Sequence, residues 1–224
     1  MDVSTALPST AQAATPSGPS GTLRVLGLIG VLGGLLGALQ TVGVLATPPM
    51  VAPDRYSYPF DAAWYTAAQV LFAVQHVTLL AVVAGLALLN RRTRSPLTTA
   101  GLAVSALGLL GLAGCELFAL TAASAATTSS RAAQVNDSYG VPMSVIGVGL
   151  VLVGVGVART RVLAGRERWL PLILGVYVFV VLFPAVFGPN VAGRLAIGVW
   201  MLLFAVQAFA LLRAGAGHRP GAPQ

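Results

Sequence analysis

Six long apolar segments take up most of this 224-residue chain and limit what it can fold into. They cover approximately residues 23–46, 62–89, 97–124, 140–158, 169–188 and 193–213. A lipid hydrocarbon core about 30 Å thick is crossed by a helix of roughly 20 apolar residues. Only 8% of the residues are charged, whereas a soluble domain carries roughly 25%. The sequence therefore predicts an all-α, polytopic integral membrane bundle of six transmembrane helices.

The arginines predict how this bundle lies in the membrane. The chain has thirteen basic residues, and all of them are arginine. Ten arginines lie before the first span, after the second span, after the fourth span or after the last span, so all ten are on the same side of the membrane. Only Arg55, Arg131 and Arg194 lie on the opposite side. Positive charge in short loops marks the cytoplasmic face. We therefore expect both termini in the cytoplasm of a multi-pass protein in a bacterial cytoplasmic membrane, with a net charge of +7 that reflects topology and not a nucleic-acid partner.

Polar segments flank and connect the spans. Residues 1–22 and 214–224 are too poor in apolar area to offset the entropy of ordering, so we expect disordered cytoplasmic tails around a six-helix domain at 23–213. The first outer loop, 47–61, combines prolines with aromatic residues, which predicts a structured cap at the membrane interface. The second outer loop, 127–140, is predicted to be a polar connection.

Glycines recur along the first and fourth spans. These glycines are Gly30, Gly33, Gly34, Gly37, Gly147, Gly149, Gly154 and Gly156. Small residues let helix backbones approach closely in lipid. We expect these faces to pack helices together, and they are also where a second copy or a partner membrane protein would bind. Pro184 in span five predicts a bend near the outer end of that helix.

Few polar side chains lie inside the predicted spans, and most of them fall in the outer half. They are Gln40, Gln69, Gln75, His76, Cys115, Glu116, Arg194 and Gln207. A glutamine between membrane helices often serves only as an interhelical hydrogen bond. An ionisable side chain is more costly to keep there and is a functional candidate by default. His76 and Glu116 are therefore the candidate catalytic residues.

One stripe of span two points these candidates toward a common space. It consists of Tyr65, Gln69, Phe72 and His76, which are spaced by four, three and four residues. We expect the stripe to face Glu116, below an outer mouth of aromatic residues (Tyr56, Tyr58, Phe60, Trp64 and Tyr65). The candidate substrate-binding residues are Tyr65, Gln69, Phe72, Gln40, Trp64 and Arg194. Gln75 points about 100° away from the stripe and suits a helix contact.

The chemistry of such a site depends on the partner of Glu116. A low dielectric disfavours an ionised carboxyl group, so a neutral Glu116 could donate a proton, with His76 as its partner or base. Arg194 could instead pair with Glu116 and hold it ionised. The sequence leaves both arrangements open. We expect no metal and no cofactor, because the adjacent helix positions Cys115 and Glu116 point in different directions and no nucleotide-binding motif occurs.

Three classes of function fit these residues. The first is a membrane-embedded enzyme that acts on a lipophilic, isoprenoid- or lipid-like substrate by proton transfer, such as isomerisation or cyclisation. The second is a small proton-coupled transporter or exporter. The third is a non-catalytic accessory subunit of a membrane complex. In every case the expected partners are membrane lipids and a lipophilic small molecule.

Overall fold

The computed structural model describes residues 19–216, and its helices confirm the six predicted membrane spans. The helices are α1 (Pro19–Ala46), α2 (Ala62–Asn90), α3 (Pro96–Ala119), α4 (Ser130–Ser138), α5 (Gly140–Thr160), α6 (Leu170–Tyr177), α7 (Phe183–Val186) and α8 (Asn190–Ala216). Residues 19–22 and 214–216, predicted to belong to the tails, are helical, and Arg24 Nε donates to the Gly215 carbonyl at 3.2 Å. The remaining predicted tail residues lie outside the described range.

The spans form a closed ring in chain order. α1 packs along both α2 and α8, α3 packs between α2 and α5, and α6 rests on α5 and closes the ring against α8. At the arginine-rich end the centre is filled by side chains that are at most 2% exposed, among them Leu79, Leu86, Phe204 and Leu211. The opposite end carries loops 47–61 and 123–129, and we call it the cap end.

Glycines bring neighbouring spans into backbone contact. A Cβ atom on Gly34 of α1 would lie 2.7 Å from backbone atoms of both Met201 and Ala205 in α8. A Cβ atom on Gly101 of α3 would lie 2.7 Å from the carbonyl oxygen of Gly149 in α5. Only glycine permits such an approach. The glycine faces of the first and fourth spans are thus packed against helices of the same chain.

The segment predicted as a polar outer loop contains a helix, so the prediction for residues 127–140 is wrong for most of its length. The Ser129 hydroxyl accepts the backbone N–H of Ala132 at 3.2 Å and caps the start of α4. Ala132 and Val135 share one face of α4 and are fully buried. A capped start and two apolar positions three residues apart are sufficient to fold this short helix against the end of α3.

Span five contains a π-helical turn near its middle. α6 ends at Tyr177, and a π-helical turn (Val178–Leu182) leads into α7. In this wide turn the Phe183 N–H bonds to the Val178 carbonyl, five residues back. Pro184 has no N–H to donate to the carbonyl four residues before it. The bend predicted at Pro184 therefore comes with a change of helical pitch just before the proline, a feature frequently found at functional sites.

Loop 47–61 is a structured cap, as the sequence predicted. The Tyr56 N–H donates to the Ala125 carbonyl at 3.0 Å, and the Thr127 N–H donates to the Asp54 carbonyl at 2.8 Å. The Arg55 guanidinium adds a hydrogen bond to the Ser124 carbonyl at 2.8 Å. These contacts fasten the first outer loop to loop 123–129 and fix it over the centre of the ring.

Candidate functional site

A cavity of about 450 Å³ occupies the centre of the ring at the cap end, and all six spans line it. Its size falls in the range of cavities that bind small molecules. Seven of the eight predicted catalytic and substrate-binding residues line its wall: Gln40, Tyr65, Gln69, Phe72, His76, Glu116 and Arg194. The structure therefore brings the polar stripes of neighbouring helices to face one another.

Trp64 is the exception among the predicted residues. Its side chain is 60% exposed and does not line the cavity. It precedes Tyr65 by one residue, and one helical step turns a side chain by about 100°. Trp64 therefore lies outside the cavity, whereas Tyr56, Tyr58 and Phe60 of the cap line it.

Glu116 is held by a residue that the sequence analysis missed. The Tyr139 hydroxyl donates a hydrogen bond to Oε2 of Glu116 at 2.9 Å. The Gln69 side-chain amide lies 3.5 Å from the backbone carbonyl of Glu116 and sits at the same level of the bundle. Tyr139 follows α4 directly, within the stretch that was predicted to be a loop. An aromatic residue at the edge of a membrane span was the only signal that could have pointed to it.

Arg194 lies near the start of α8 and makes no ion pair with Glu116. Among the described residues, the one salt bridge within 4.0 Å joins Arg213 and Glu167 at the arginine-rich end. The structure shows no hydrogen bond from the Arg194 guanidinium to another described residue, although the side chain lines the cavity. The sequence left open an ion pair between Arg194 and Glu116, and that pair is not formed.

His76 lies toward the floor of the cavity with one ring nitrogen already engaged. Nδ1 is 2.8 Å from the Phe72 carbonyl oxygen in the preceding turn. A carbonyl oxygen can only accept, so Nδ1 carries the hydrogen of this bond, and the neutral ring leaves Nε2 as an acceptor. Only 7% of His76 is exposed. The imidazole is therefore oriented by its own helix and presents one free basic nitrogen.

Glu116 and His76 lie at different depths. Gln69 is level with Glu116, and His76 follows Gln69 by seven residues on α2, which is about 10 Å at 1.5 Å per residue. No hydrogen bond joins the two side chains in the described part of the chain, and each has a different partner. The direct pairing that the sequence suggested is therefore absent. An acid and a base instead occupy two levels of one cavity.

The glutamines near the cavity differ in their contacts. The Gln75 amide donates to the Met201 sulfur at 3.0 Å and lies 3.5 Å from the Gly33 carbonyl, so it connects α2 to α8 and α1. Nε2 of Gln40 is buried and has no hydrogen-bond partner. Neither amide atom of Gln207, which is fully buried, has a partner. Gln40 is thus the glutamine with a donor left over at the cavity.

Tyr56 lines the mouth of the cavity on the side of the cap. Its hydroxyl donates to Oδ1 of Asn136 at 2.8 Å, and its ring meets the Tyr65 ring edge-on at 6.4 Å between centroids. Burial raises the pKa of Tyr56 to about 12, with the nearby Glu116 carboxylate adding to the rise and Arg194 opposing it. The phenol is therefore neutral at physiological pH and remains a hydrogen-bond donor.

Cys115, next to Glu116, makes a structural contact. Its sulfur lies 3.3 Å from the Ser138 carbonyl, and the side chain is buried. Within residues 19–216, no group of three or more histidine, cysteine, aspartate or glutamate side chains could hold a metal ion.

Comparison of the chain with protein-family models, curated proteins and solved structures found no match. Its function has to be inferred from the chemistry of the cavity itself.

Proposed function

We propose that this chain is a membrane-embedded enzyme that cyclises a lipophilic, isoprenoid-like substrate by proton transfer. One observation carries the proposal. A single cavity holds one carboxyl group, fixed by Tyr139, and one imidazole, oriented by the Phe72 carbonyl. The backbone of His76 lies about 10 Å along α2 from that of Gln69, which contacts the backbone of Glu116. The cavity wall also contains apolar and aromatic side chains such as Phe72, Leu112 and Trp200.

The proposed reaction uses these two groups at opposite ends of the substrate. Glu116 donates its proton to a carbon–carbon double bond, so that its O–H bond breaks and a C–H bond and a carbocation form. A second double bond of the chain attacks the cation and closes a ring. Nε2 of His76 then removes a proton from the carbon next to the new cation, which restores a double bond. The product has the formula of the substrate, and exchange with water through the mouth resets both groups.

The separation of the acid and the base favours cyclisation over a simple double-bond shift. A shift across three carbons needs the acid and the base to flank one short unit of the substrate. A cyclisation begins at one position and ends at another, which suits an acid and a base that are held by separate partners at two levels of the bundle. Aromatic rings in the wall, such as Phe72 and Trp200, would stabilise the cations that form between them.

Tyr139 would act in this scheme as a positioning residue. Its hydrogen bond occupies one oxygen of the Glu116 carboxyl group and leaves the other for the substrate. A general acid works only within hydrogen-bond reach of the atom that it protonates. The hydrogen bond from Tyr139, at the junction between α4 and α5, therefore supports the proposed role of Glu116.

The proposal is tested by replacing the chromosomal gene with Glu116→Gln or His76→Gln in the organism that carries it. The matched control is Glu167→Gln, because Glu167 lies at the arginine-rich end, away from the cavity. Mass spectrometry of extracted lipids should show a substrate that accumulates and a product of equal mass that disappears in both cavity variants but not in the control. Identical lipid profiles in all strains would rule out the enzyme.

Proton-coupled transport is the second candidate, and the π-helical turn of span five favours it. Leu182 of the π-helical turn and Val186 of α7 both line the cavity. A π-helical turn beside a cavity is frequently found at functional sites, where a helix has to change shape or expose backbone groups. In liposomes with an imposed pH gradient, a transporter would show proton flux that depends on added lipid extract and is lost in Glu116→Gln. No flux in the wild-type protein would exclude this candidate.

A further inference from the structure

We infer that the ligand of this cavity is an acidic amphiphile, with a carboxylate or phosphate head group bound by Arg194 and Gln40 and an apolar body that extends toward His76. The inference rests on the proposed function only in treating the cavity as a ligand site. It adds the chemical class of the ligand and the direction in which the ligand lies.

The charges of the cavity wall point to an anion. The charged residues that line it are Arg55, Arg194 and Glu116. Two positive groups and one carboxyl group sum to +1 when Glu116 is ionised and to +2 when it is neutral. An arginine inside a membrane span is expensive without a counter-charge. Carboxylates and phosphates match the fork of guanidinium donors, which binds them through two parallel hydrogen bonds.

Unused hydrogen-bond donors point to the same group. The Arg194 guanidinium has no hydrogen-bond or ion-pair partner among the described residues, and Nε2 of Gln40 is buried without one. Arg194 lies four residues from the start of α8. Thr41 of α1 packs against Gly198 of α8, four residues after Arg194, so Gln40 lies about one helical turn below Arg194. Two donors on the wall of one cavity, about a turn apart, are therefore free to bind acceptor atoms of a ligand.

Below these donors the wall suits an apolar body. It is formed there mainly by Phe72, Leu112, Met143, Ile197, Trp200 and Met201, together with Thr41 and Gln75. The Gln75 amide already donates to the Met201 sulfur. His76, about 10 Å below the level of Glu116, adds one acceptor nitrogen near the floor. A ligand with its head group at Arg194 would therefore place its apolar chain between the proposed acid and the proposed base.

Three probes with one chain and different head groups test the inference: farnesol, farnesoic acid and farnesyl phosphate. The full chain, with Trp64 and Trp169 replaced by phenylalanine, is reconstituted in phosphatidylcholine nanodiscs. Binding is followed by the fluorescence of the remaining Trp200 in the cavity wall, with empty nanodiscs as the blank for partitioning. Both acids should bind at least about tenfold more tightly than farnesol. This difference is the affinity that one charge-assisted hydrogen bond between Arg194 and an anionic head group would add. Equal affinities for the alcohol and the acids would overturn the inference.

Substitutions assign the head group to Arg194. Arg194→Gln should remove the preference for the acids and leave farnesol binding unchanged, and Arg194→Lys should keep part of the preference because it keeps the charge. Arg131→Gln is the matched control, since Arg131 lies at the same end of the bundle but outside the cavity. An Arg194→Gln protein that still prefers the acids would overturn the assignment. If inorganic phosphate competes as well as farnesyl phosphate, the site binds free anions and not an amphiphile.

The binding assay also separates this inference from the proposed reaction. Glu116→Gln should still bind the two acids, because Arg194 and Gln40 remain in place. If that variant binds normally and the lipid profile of its strain is unchanged, the proposed reaction fails and the head-group inference stands. If the lipid profile changes but all three probes bind alike, the head-group inference fails and the reaction stands.

Discussion

The Tyr139 hydroxyl and the Glu116 carboxyl group are joined by a hydrogen bond of 2.9 Å that connects the junction between α4 and α5 to α3. Both residues are at the cap end, and both line the cavity. Because this bond occupies Oε2, only the other carboxyl oxygen remains for a ligand. The orientation of the proposed acid therefore depends on a residue of the neighbouring span.

Removal of this hydrogen bond should reduce turnover without unfolding the protein. We expect Tyr139→Phe to lower the ratio of product to substrate in cells by about tenfold, because a misplaced general acid loses part of a contribution of roughly 10²–10⁴. The control is Tyr177→Phe, which removes a hydroxyl that donates to the Ala196 carbonyl at 3.0 Å, away from the cavity. An equal effect of the two substitutions would show that Tyr139 has only a structural role.

The contact between α1 and α8 should be sensitive to a single methyl group. We expect Gly34→Ala to destabilise the protein by about 1–3 kcal/mol, because its Cβ atom would meet backbone atoms of α8 that cannot move aside easily. Gly43→Ala on the same helix meets no atom within 4 Å and should be neutral or slightly stabilising. Thermal unfolding in one detergent compares the two variants, and equal midpoints would contradict the close packing at Gly34.

Tyr56 should make the stability of the cap depend on alkaline pH. Its pKa in the folded protein is about 12, above the usual value of about 10. A folded pKa above the unfolded one means that the stabilisation is complete below pH 10 and is lost as the pH rises toward 12. An ultraviolet difference titration of the wild type against Tyr56→Phe should show the phenolate only near pH 12. A difference titration centred near pH 10 would contradict the burial of this hydroxyl.

The lengths of the apolar segments were sufficient to predict the six spans, and the helical spacing of the polar residues predicted most of the cavity wall. The stripe from Tyr65 to His76 faces the cavity because all of its members lie on one side of α2. Trp64 lies outside the cavity because it is one helical step from this stripe, which turns its side chain by about 100°. The sequence could not reveal the register between helices, which places the backbone of Glu116 beside Gln69, seven residues before His76 on α2.

Two local features were hidden for other physical reasons. Tyr139 lies at the end of a polar stretch whose helix, α4, is stabilised by burying Ala132 and Val135, and polar composition alone predicts a loop there. The π-helical turn at Val178–Leu182 arises from the hydrogen bonds around Pro184, and an unbroken apolar run gives no sign of it. In both cases tertiary contacts or backbone hydrogen bonds decide the local structure.

The orientation of the bundle is a prediction that reporter fusions can test. We expect the arginine-rich end and both termini in the cytoplasm, because positive charge in short loops is retained there. A reporter that needs disulfide bonds should be inactive when fused after Gln224 and active when inserted in loop 123–129, because disulfides form outside the cytoplasm. The reverse pattern of activity would invert the bundle and place the mouth of the cavity in the cytoplasm.

The incorporation of deuterium from heavy water tests the central claim most directly. If Glu116 starts a cyclisation by protonating the substrate, the product formed by wild-type membranes in heavy water should gain one deuterium on carbon, which exchange with ordinary water does not remove. Membranes with Glu116→Gln should form no labelled product, and membranes with Glu167→Gln should match the wild type. A product that forms without deuterium, or labelling that persists in Glu116→Gln, would contradict the account.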